Sequence, residues 1–159
     1  MRTKVYHAHF YTLALALVLA ACDGGPGGAY DPAHDYYSFA NTNAFVTDHL
    51  ILDLAVDFDR RELRGTATLR LLNLSPLERK VVLDTRDLTI ESATVTVPGE
   101  APLAVSFEQG ERDALLGQPL RVVLPDDFDP QGGFDLNLAY HTSPEATALQ
   151  WLPASLTAG

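Results

Sequence analysis

The chain has 159 residues, 47% of them hydrophobic and 20% charged. This composition suits one domain with a modest core and excludes a chain that is a low-complexity tail as a whole. Its formal net charge is -10, from 21 acidic residues against 11 Lys and Arg. No basic stripe is present, so we expect no nucleic-acid partner. The acidic residues are dispersed except at Asp126, Asp127 and Asp129, which we interpret as solvated surface rather than as a cation site.

The N-terminus has the pattern of an export signal. Arg2 and Lys4 precede an apolar run at 13–21, which is too short to span a bilayer comfortably. The run ends in Leu19-Ala20-Ala21-Cys22, which resembles a bacterial lipobox, and Cys22 is the only cysteine. We predict a lipoprotein signal peptide at residues 1–21 and lipidation of Cys22. The alternatives are an ordinary cleaved signal or an apolar helix retained in the fold.

A tether is predicted to follow the lipid anchor. Residues 22–34 contain the run Asp23-Gly24-Gly25-Pro26-Gly27-Gly28, which cannot build a core and has high backbone freedom. We therefore expect a flexible linker and a domain held to a membrane at the periplasmic face of a bacterial cell envelope. The choice between inner and outer membrane stays open.

Alternation with a period of two begins near Val46. Leu50, Leu52, Leu54, Val56 and Phe58 fall on one face of a predicted half-buried strand. A polar turn follows, and a second alternating segment at 63–71 is predicted to pair with the first as a hairpin. Gly65, within this second segment, indicates a bulge or the close approach of another backbone.

Further strand patterns continue to residue 142, separated by turns that contain Gly or Pro, and no amphipathic helix is evident. The predicted strands are Lys80–Asp84, Leu88–Val97, Leu103–Phe107, Leu120–Leu124 and Phe134–Thr142. The expected fold is all-β, an antiparallel or mixed sandwich or a saddle-shaped open barrel of about seven to eight strands. We assign this β-domain to residues 35–159.

The segment after the last strand places an amide between large apolar side chains. Gln150 lies between Leu149 and Trp151 and is expected to be buried, where its carbonyl oxygen and amide N–H groups need partners. Two interpretations follow from the residues alone. Gln150 caps backbone groups where the strand leaves the sheet, or it binds a ligand.

Several blocks of the sequence, taken together, resemble the N-terminal domain of the aminopeptidase N family of zinc metallopeptidases, in its leukotriene hydrolase-like branch. The similarity covers about residues 35 to 159. The blocks are Ser38–Asn41, His49–Phe58, Leu63–Ala67, Leu83–Ile90, Tyr140–Pro144 and Ala148–Leu152. The last block is the most specific of them.

The resemblance implies a function for the whole protein. Family members place this β-domain against a thermolysin-like catalytic domain, and the residue that matches Gln150 helps to hold the free α-amino group of a peptide substrate. The implied protein is a bacterial lipid-anchored zinc aminopeptidase that removes N-terminal residues from peptides, with Gln150 as a substrate-binding residue. Its partners are the peptide N-terminus, the catalytic domain and a membrane.

The residues that would bind zinc are not found in these 159 residues. The family needs His-Glu-Xaa-Xaa-His and a downstream acidic ligand, whereas His34, His49 and His141 have no helical metal spacing. We therefore expect zinc in the full-length enzyme but none bound here, no catalytic residue in this chain, and no activity of the fragment alone. The alternative function is a non-catalytic, membrane-tethered β-sandwich that binds a partner.

Overall fold

Alternating apolar and polar side chains form eight antiparallel strands in the computed structural model, which describes residues 35–129 and 132–157. The strands are β1 (Phe45–Asp57), β2 (Glu62–Asn73), β3 (Lys80–Thr85), β4 (Leu88–Thr96), β5 (Leu103–Ala104), β6 (Ser106–Gln109), β7 (Gln118–Val123) and β8 (Phe134–Thr142). The predicted signal peptide, Cys22 and the linker lie outside the described residues. No helix within the described ranges is long and apolar enough to cross a membrane.

The strands form two sheets that pack on each other. The larger has five strands in the order β1-β2-β8-β4-β5, and the smaller has three in the order β3-β7-β6. The predicted all-β sandwich is thus confirmed, and the described strands do not close into a barrel. The predicted hairpin is also confirmed, since β1 and β2 are antiparallel neighbours.

The hydrophobic core lies between the small sheet and the middle of the large sheet. Leu136 on β8 and Val95 on β4 are fully buried, as are Val81 on β3 and Leu120 and Val122 on β7. Burying a large aliphatic side chain contributes about 1.5 to 3 kcal/mol. This core therefore joins the two sheets into one stable body.

The segment predicted as one strand, Leu103–Phe107, is instead divided between the two sheets. β5 pairs with β4 in the large sheet, whereas β6 pairs with β7 in the small one. At the crossing, the Val105 N–H donates a hydrogen bond to the Ala93 carbonyl oxygen at 3.1 Å, and the Val105 side chain packs against the core. Strands that change sheets make the corners of such sandwiches, and alternation alone does not reveal them.

The prediction that β1 is half-buried is wrong, although its alternation is correct. Leu50, Leu52 and Val56 lie opposite Leu69, Ala67 and Leu63 of β2, on the inner face of the large sheet. They are nevertheless 51%, 53% and 52% exposed. The reason is that the core contacts of the three-stranded sheet do not extend to these side chains. We call Leu50, Leu52, Leu54 and Val56 the apolar stripe of β1.

Gly65 lies where the backbones of β1 and β2 approach closely. This confirms the second of the two roles predicted for it, the close approach of another backbone rather than a bulge. A Cβ atom at this position would lie 2.0 Å from the Asp53 carbonyl oxygen. A side chain there would force β1 and β2 apart, because a carbonyl oxygen cannot move away without disturbing its own strand.

Asp87, in the turn between β3 and β4, ties three parts of the chain together. One carboxylate oxygen accepts a hydrogen bond from the Arg112 guanidinium at 2.7 Å. The other accepts bonds from the Thr147 backbone N–H and hydroxyl, each at 3.2 Å. The Asp87 carbonyl oxygen also accepts a bond from the Ser143 N–H at 2.9 Å. Asp87 thus holds the segment that follows β8 against the sandwich.

These contacts change the acidity of Asp87. The hydrogen bond from Arg112, followed by that from the Thr147 backbone, lowers the pKa of the Asp87 carboxyl below its ordinary value. The Asp87 side chain is 11% exposed, whereas that of its partner Arg112 is 51% exposed. A charged Asp87 is therefore favoured by the folded state.

Replacing Asp87 by Asn tests this contribution, because Asn tolerates the φ of 57° found at this position. A lowered folded pKa gives stability that is present above the unfolded pKa, about 3.9, and is lost as the pH falls through the folded pKa. We expect Asp87→Asn to lower the urea midpoint at pH 7, and the difference from wild type to shrink below about pH 4.

Equilibrium unfolding between about pH 3 and pH 7, followed by the fluorescence of Trp151, measures this effect. Asp127→Asn is the matched control, since Asp127 is exposed and has no hydrogen bond within the described ranges. Its midpoint should follow that of the wild type at each pH. A deficit of Asp87→Asn that stays constant with pH would show that its charge contributes nothing.

Candidate functional site

The segment that follows β8 leaves the sheet through two successive turns. Buried Thr142 ends the strand, and its hydroxyl accepts a hydrogen bond from the Leu63 N–H at 3.0 Å. The Ala146 N–H then bonds the Ser143 carbonyl oxygen, and the Leu149 N–H bonds the Ala146 carbonyl oxygen, each at 3.0 Å. The chain thereby reaches the tip of the β1–β2 hairpin without forming another strand.

Gln150 is exposed, so the expectation that it is buried between Leu149 and Trp151 is wrong. Only partial burial is found for Leu149 and Trp151, because this irregular segment lies on the surface of the sandwich. The Gln150 carboxamide makes no hydrogen bond to any described residue, so it does not cap the end of the sheet. Its carbonyl oxygen is free to accept a bond, while its role in binding substrate stays a prediction.

Trp151 attaches the segment to the hairpin. Its ring meets the Phe58 ring edge to face, with centroids 5.9 Å apart and planes at 85°. Such aromatic pairs contribute about 0.5 to 1.5 kcal/mol beyond the area they bury. Phe58 itself remains 77% exposed. The pair therefore forms one wall of an open groove.

The groove continues along the last described residues. Its other lining residues are Arg61, Leu152, Pro153, Ala154 and Thr157. The indole N–H of Trp151 is buried and has no hydrogen-bond acceptor in the part of the chain that the structure describes. An unsatisfied buried donor costs about 1 to 3 kcal/mol. An acceptor for the Trp151 N–H in this groove would therefore stabilise the domain.

The outer face of the large sheet carries a row of paired polar side chains. Arg70 of β2 makes two bonds to Asp135 of β8, at 3.0 and 3.3 Å. Glu91 of β4 contacts both Arg64 and His141, with its oxygen 2.8 Å from His141 Nδ1. The hydrogen bond to His141 is the largest effect that lowers the pKa of Glu91. This face is thus solvated and internally neutralised.

The described residues do not suit the zinc that the resemblance implies. His49 is on β1 and His141 is on β8, and β2 separates these strands. His141 is paired with Glu91, and Asp126 and Asp127 are exposed. Within residues 35–129 and 132–157, no three His, Cys, Asp or Glu side chains are grouped so that they could hold a metal ion.

Two features of this region were not identified from the sequence. The sequence analysis gives Asp87 no role of its own, and only its contacts with Arg112 and Thr147 show that it holds the last segment. The contact between Phe58 and Trp151 joins residues far apart in the chain. Asp87 lies within one block of the family resemblance, which is the only signal that could have drawn attention to it.

Comparisons with known proteins identify relatives of this region. No family model matches the chain. It is 32% identical over 126 residues to leucine aminopeptidase 2 of Pyricularia oryzae, which covers 79% of this chain and 20% of the relative. It is 34% identical over 125 residues to leukotriene A-4 hydrolase of Xenopus laevis, with the same coverage of 79% and 20%.

A solved structure agrees with this relationship. Yeast LTA4 hydrolase in complex with bestatin superposes with a TM-score of 0.66 and 26% identity, over 81% of this chain and 19% of that protein. The native yeast enzyme, at 24% identity and a TM-score of 0.61, shares the fold.

The chain spans about a fifth of the length of the curated relatives it matches. The relatives agree in family although their names differ. By sequence and by fold, this β-domain belongs to the aminopeptidase N family of zinc metallopeptidases, as an N-terminal domain.

Proposed function

We propose that this chain is the substrate-recognition part of an exported, lipid-anchored zinc aminopeptidase that removes N-terminal residues from peptides in a bacterial cell envelope. The observation that carries the proposal is the identity of 32% to a leucine aminopeptidase and 34% to a leukotriene hydrolase, across the β-domain. The export and the anchor rest on the N-terminal sequence pattern and on Cys22.

The division of labour follows from the residues that each part provides. In this proposal the catalytic domain of the full-length enzyme supplies the zinc ligands and the general base, and the described ranges contain no metal-holding group that would compete for this role. Zinc there would activate water for attack on the peptide bond. The β-domain would form one wall of the cleft into which the substrate's N-terminus fits.

Gln150 is the residue of this wall that we assign to the substrate. A free α-amino group carries a positive charge, and a neutral carboxamide oxygen can accept a charge-assisted hydrogen bond from it. Such recognition avoids the desolvation cost of burying a carboxylate. Gln150 is exposed and has no hydrogen-bond partner among the described residues. The Asp87 contacts and the Phe58–Trp151 pair restrain the chain on either side of it.

The first test concerns the division of labour. The 159-residue chain should not hydrolyse an aminoacyl-anilide, whereas the product of the reading frame continued beyond Gly159 should do so and lose activity to a zinc chelator. The release of the anilide is followed by absorbance, with zinc restored as the control. Hydrolysis by the shorter chain would contradict the proposal.

The competing function, a membrane-tethered binding module, has some support from the exposed apolar stripe of β1, because large exposed apolar patches often mark interaction sites. The DNA downstream of Gly159 separates the two functions. A frame that continues through Gly-Xaa-Met-Glu-Asn and His-Glu-Xaa-Xaa-His supports the enzyme, whereas a natural stop supports the module.

The second test concerns Gln150 in the continued protein. Gln150→Leu should raise KM about tenfold, the equivalent of about 1.4 kcal/mol, with a smaller change in kcat, because it removes a contact to the bound ground state. Gln150→Glu retains acceptor oxygens and should keep KM near or below that of wild type. Steady-state kinetics with peptides and with N-acetylated peptides measures both variants.

The matched control for Gln150 is Asn43→Leu, which removes another exposed carboxamide without a partner among the described residues. Its KM should equal that of the wild type. If Gln150→Leu behaves like this control, Gln150 has no role in binding the amino group.

The third test concerns the anchor. Because Cys22 is the only cysteine, Cys22→Ser should abolish incorporation of a radiolabelled fatty acid. Labelling in a lipoprotein-competent bacterium, followed by fractionation, measures the change. Unchanged labelling of the serine variant would place the lipid elsewhere, and an unlabelled wild-type protein would show that there is none.

A further inference from the structure

The strand β1 lies at the edge of the large sheet. It comes first in the order β1-β2-β8-β4-β5 and pairs with β2 alone among the described strands. In an antiparallel ladder, alternate residues direct their N–H and C=O groups to opposite sides of the strand. On the side away from β2, the backbone groups of residues 46–57 have no partner within residues 35–129 and 132–157. This edge therefore presents a row of hydrogen-bond donors and acceptors.

The edge lacks most of the features that prevent strand pairing. Proteins protect such edges by short strands, by Pro or Lys on the strand, or by bulges. The strand β1 has 13 residues and contains neither Pro nor Lys. Its register shift lies between Thr47 and His49, so the pairing is regular from His49 to Asp57. That part of the strand is suited to pairing with another strand.

Both faces of this edge expose apolar side chains. Leu50 and Leu52 on the inner face are 51% and 53% exposed, and Ile51 on the outer face is 54% exposed. Ile51 lies opposite Thr68 of β2, whose hydroxyl bonds Asn137 on that outer face. A strand added at this edge would thus cover apolar surface on both sides of the sheet and would also satisfy the backbone groups.

We propose that the partner is a second copy of this chain, which pairs β1 against β1 in antiparallel orientation about a two-fold axis through Ile51. In this register Ile51 lies opposite Ile51 of the second copy, and Leu50 lies opposite Leu52. The symmetry repeats every contact. The inference goes beyond the proposed function and holds whether or not the chain is part of a peptidase.

The charged side chains select this register. With Ile51 on the axis, His49 of each copy faces Asp53 of the other, so that an imidazole N–H can donate to a carboxylate twice in the pair. An axis through Leu52 would place Asp53 opposite Ile51, and an axis through Asp53 would bring two carboxylates together. Moving the axis to any other residue of β1 separates His49 from Asp53.

The net charge of the chain does not prevent this pairing. A charge of -10 on each copy opposes association at long range. At about 0.15 M salt the Debye length is about 8 Å, so this repulsion is screened while groups in direct contact still attract each other.

The assembly is closed at two copies. The other edge of the large sheet is β5, which has only the two residues Leu103–Ala104. So short an edge offers little for a further copy to pair with. Since the two-fold axis uses β1 of both copies, the result is a dimer rather than a fibre.

Disulfide cross-linking tests the register. Because Cys22 is the only cysteine, Cys22→Ser gives a chain into which one thiol at a time can be placed. Ile51→Cys in this background places two thiols across the axis, where Cβ atoms of opposite residues are about 4.5 to 5.5 Å apart, close to the span of a disulfide. Mild oxidation at about 0.15 M salt should give a covalent dimer on a non-reducing gel.

The matched control is Ala55→Cys in the same background. Ala55 is exposed on the same face of β1 but would lie about 26 Å along the strand from Ala55 of the second copy. It should cross-link about tenfold less than Ile51→Cys. Urea midpoints close to that of Cys22→Ser show that both variants are folded. Equal cross-linking of the two variants, or none of either, would overturn the proposal.

A charge exchange supplies a second readout in chains without an added thiol. Sedimentation velocity of the wild type should show a mass that rises with concentration from one copy to two. His49→Asp should raise the Kd of the dimer about tenfold, because two symmetric contacts then oppose carboxylates. The double variant H49D/D53H again places opposite groups together and should have a Kd within about twofold of wild type.

Three outcomes of the sedimentation experiment would contradict the dimer. A wild-type chain that stays monomeric at about 0.5 mM would overturn it. So would a double variant that associates no more tightly than His49→Asp. Assemblies larger than two copies would show that other edges take part and would overturn the closed pair.

Discussion

The structure depends on the packing of a three-stranded sheet against a five-stranded one. Burial of apolar side chains is the main favourable contribution to folding, and here it is concentrated where β3 and β7 lie over β4 and β8. The strand β1 enters the core only at its first residue, Phe45, and the rest of it is held by hydrogen bonds to β2. The difference in size between the sheets therefore decides which apolar residues become core and which remain accessible.

The two faces of the large sheet differ in the side chains that they carry. The outer face carries cross-strand pairs such as Thr68 with Asn137, at 2.6 Å, and Arg70 with Asp135, so it is suited to water. The inner face is apolar along its whole width, including the part that no described residue covers.

The segment that carries Gln150 is attached to the sandwich at two points. Asp87 holds the start of the segment after β8, and the Phe58–Trp151 pair holds its end, so that Gln150 is displayed at the surface between them. Positioning by contacts outside the segment itself is typical of binding loops on a rigid scaffold.

The sequence alone determined the all-β class, the β1–β2 hairpin and the family, because a period of two and the order of short blocks are local properties that need no knowledge of packing. Only the tertiary structure decided that Val105 divides two strands between sheets, that Leu52 is exposed and that Gln150 is not buried. Alternation shows which residues share a face, but burial depends on whether another layer reaches that face. Likewise the role of Asp87 depends on Arg112 and Thr147, which approach it only after the chain has folded.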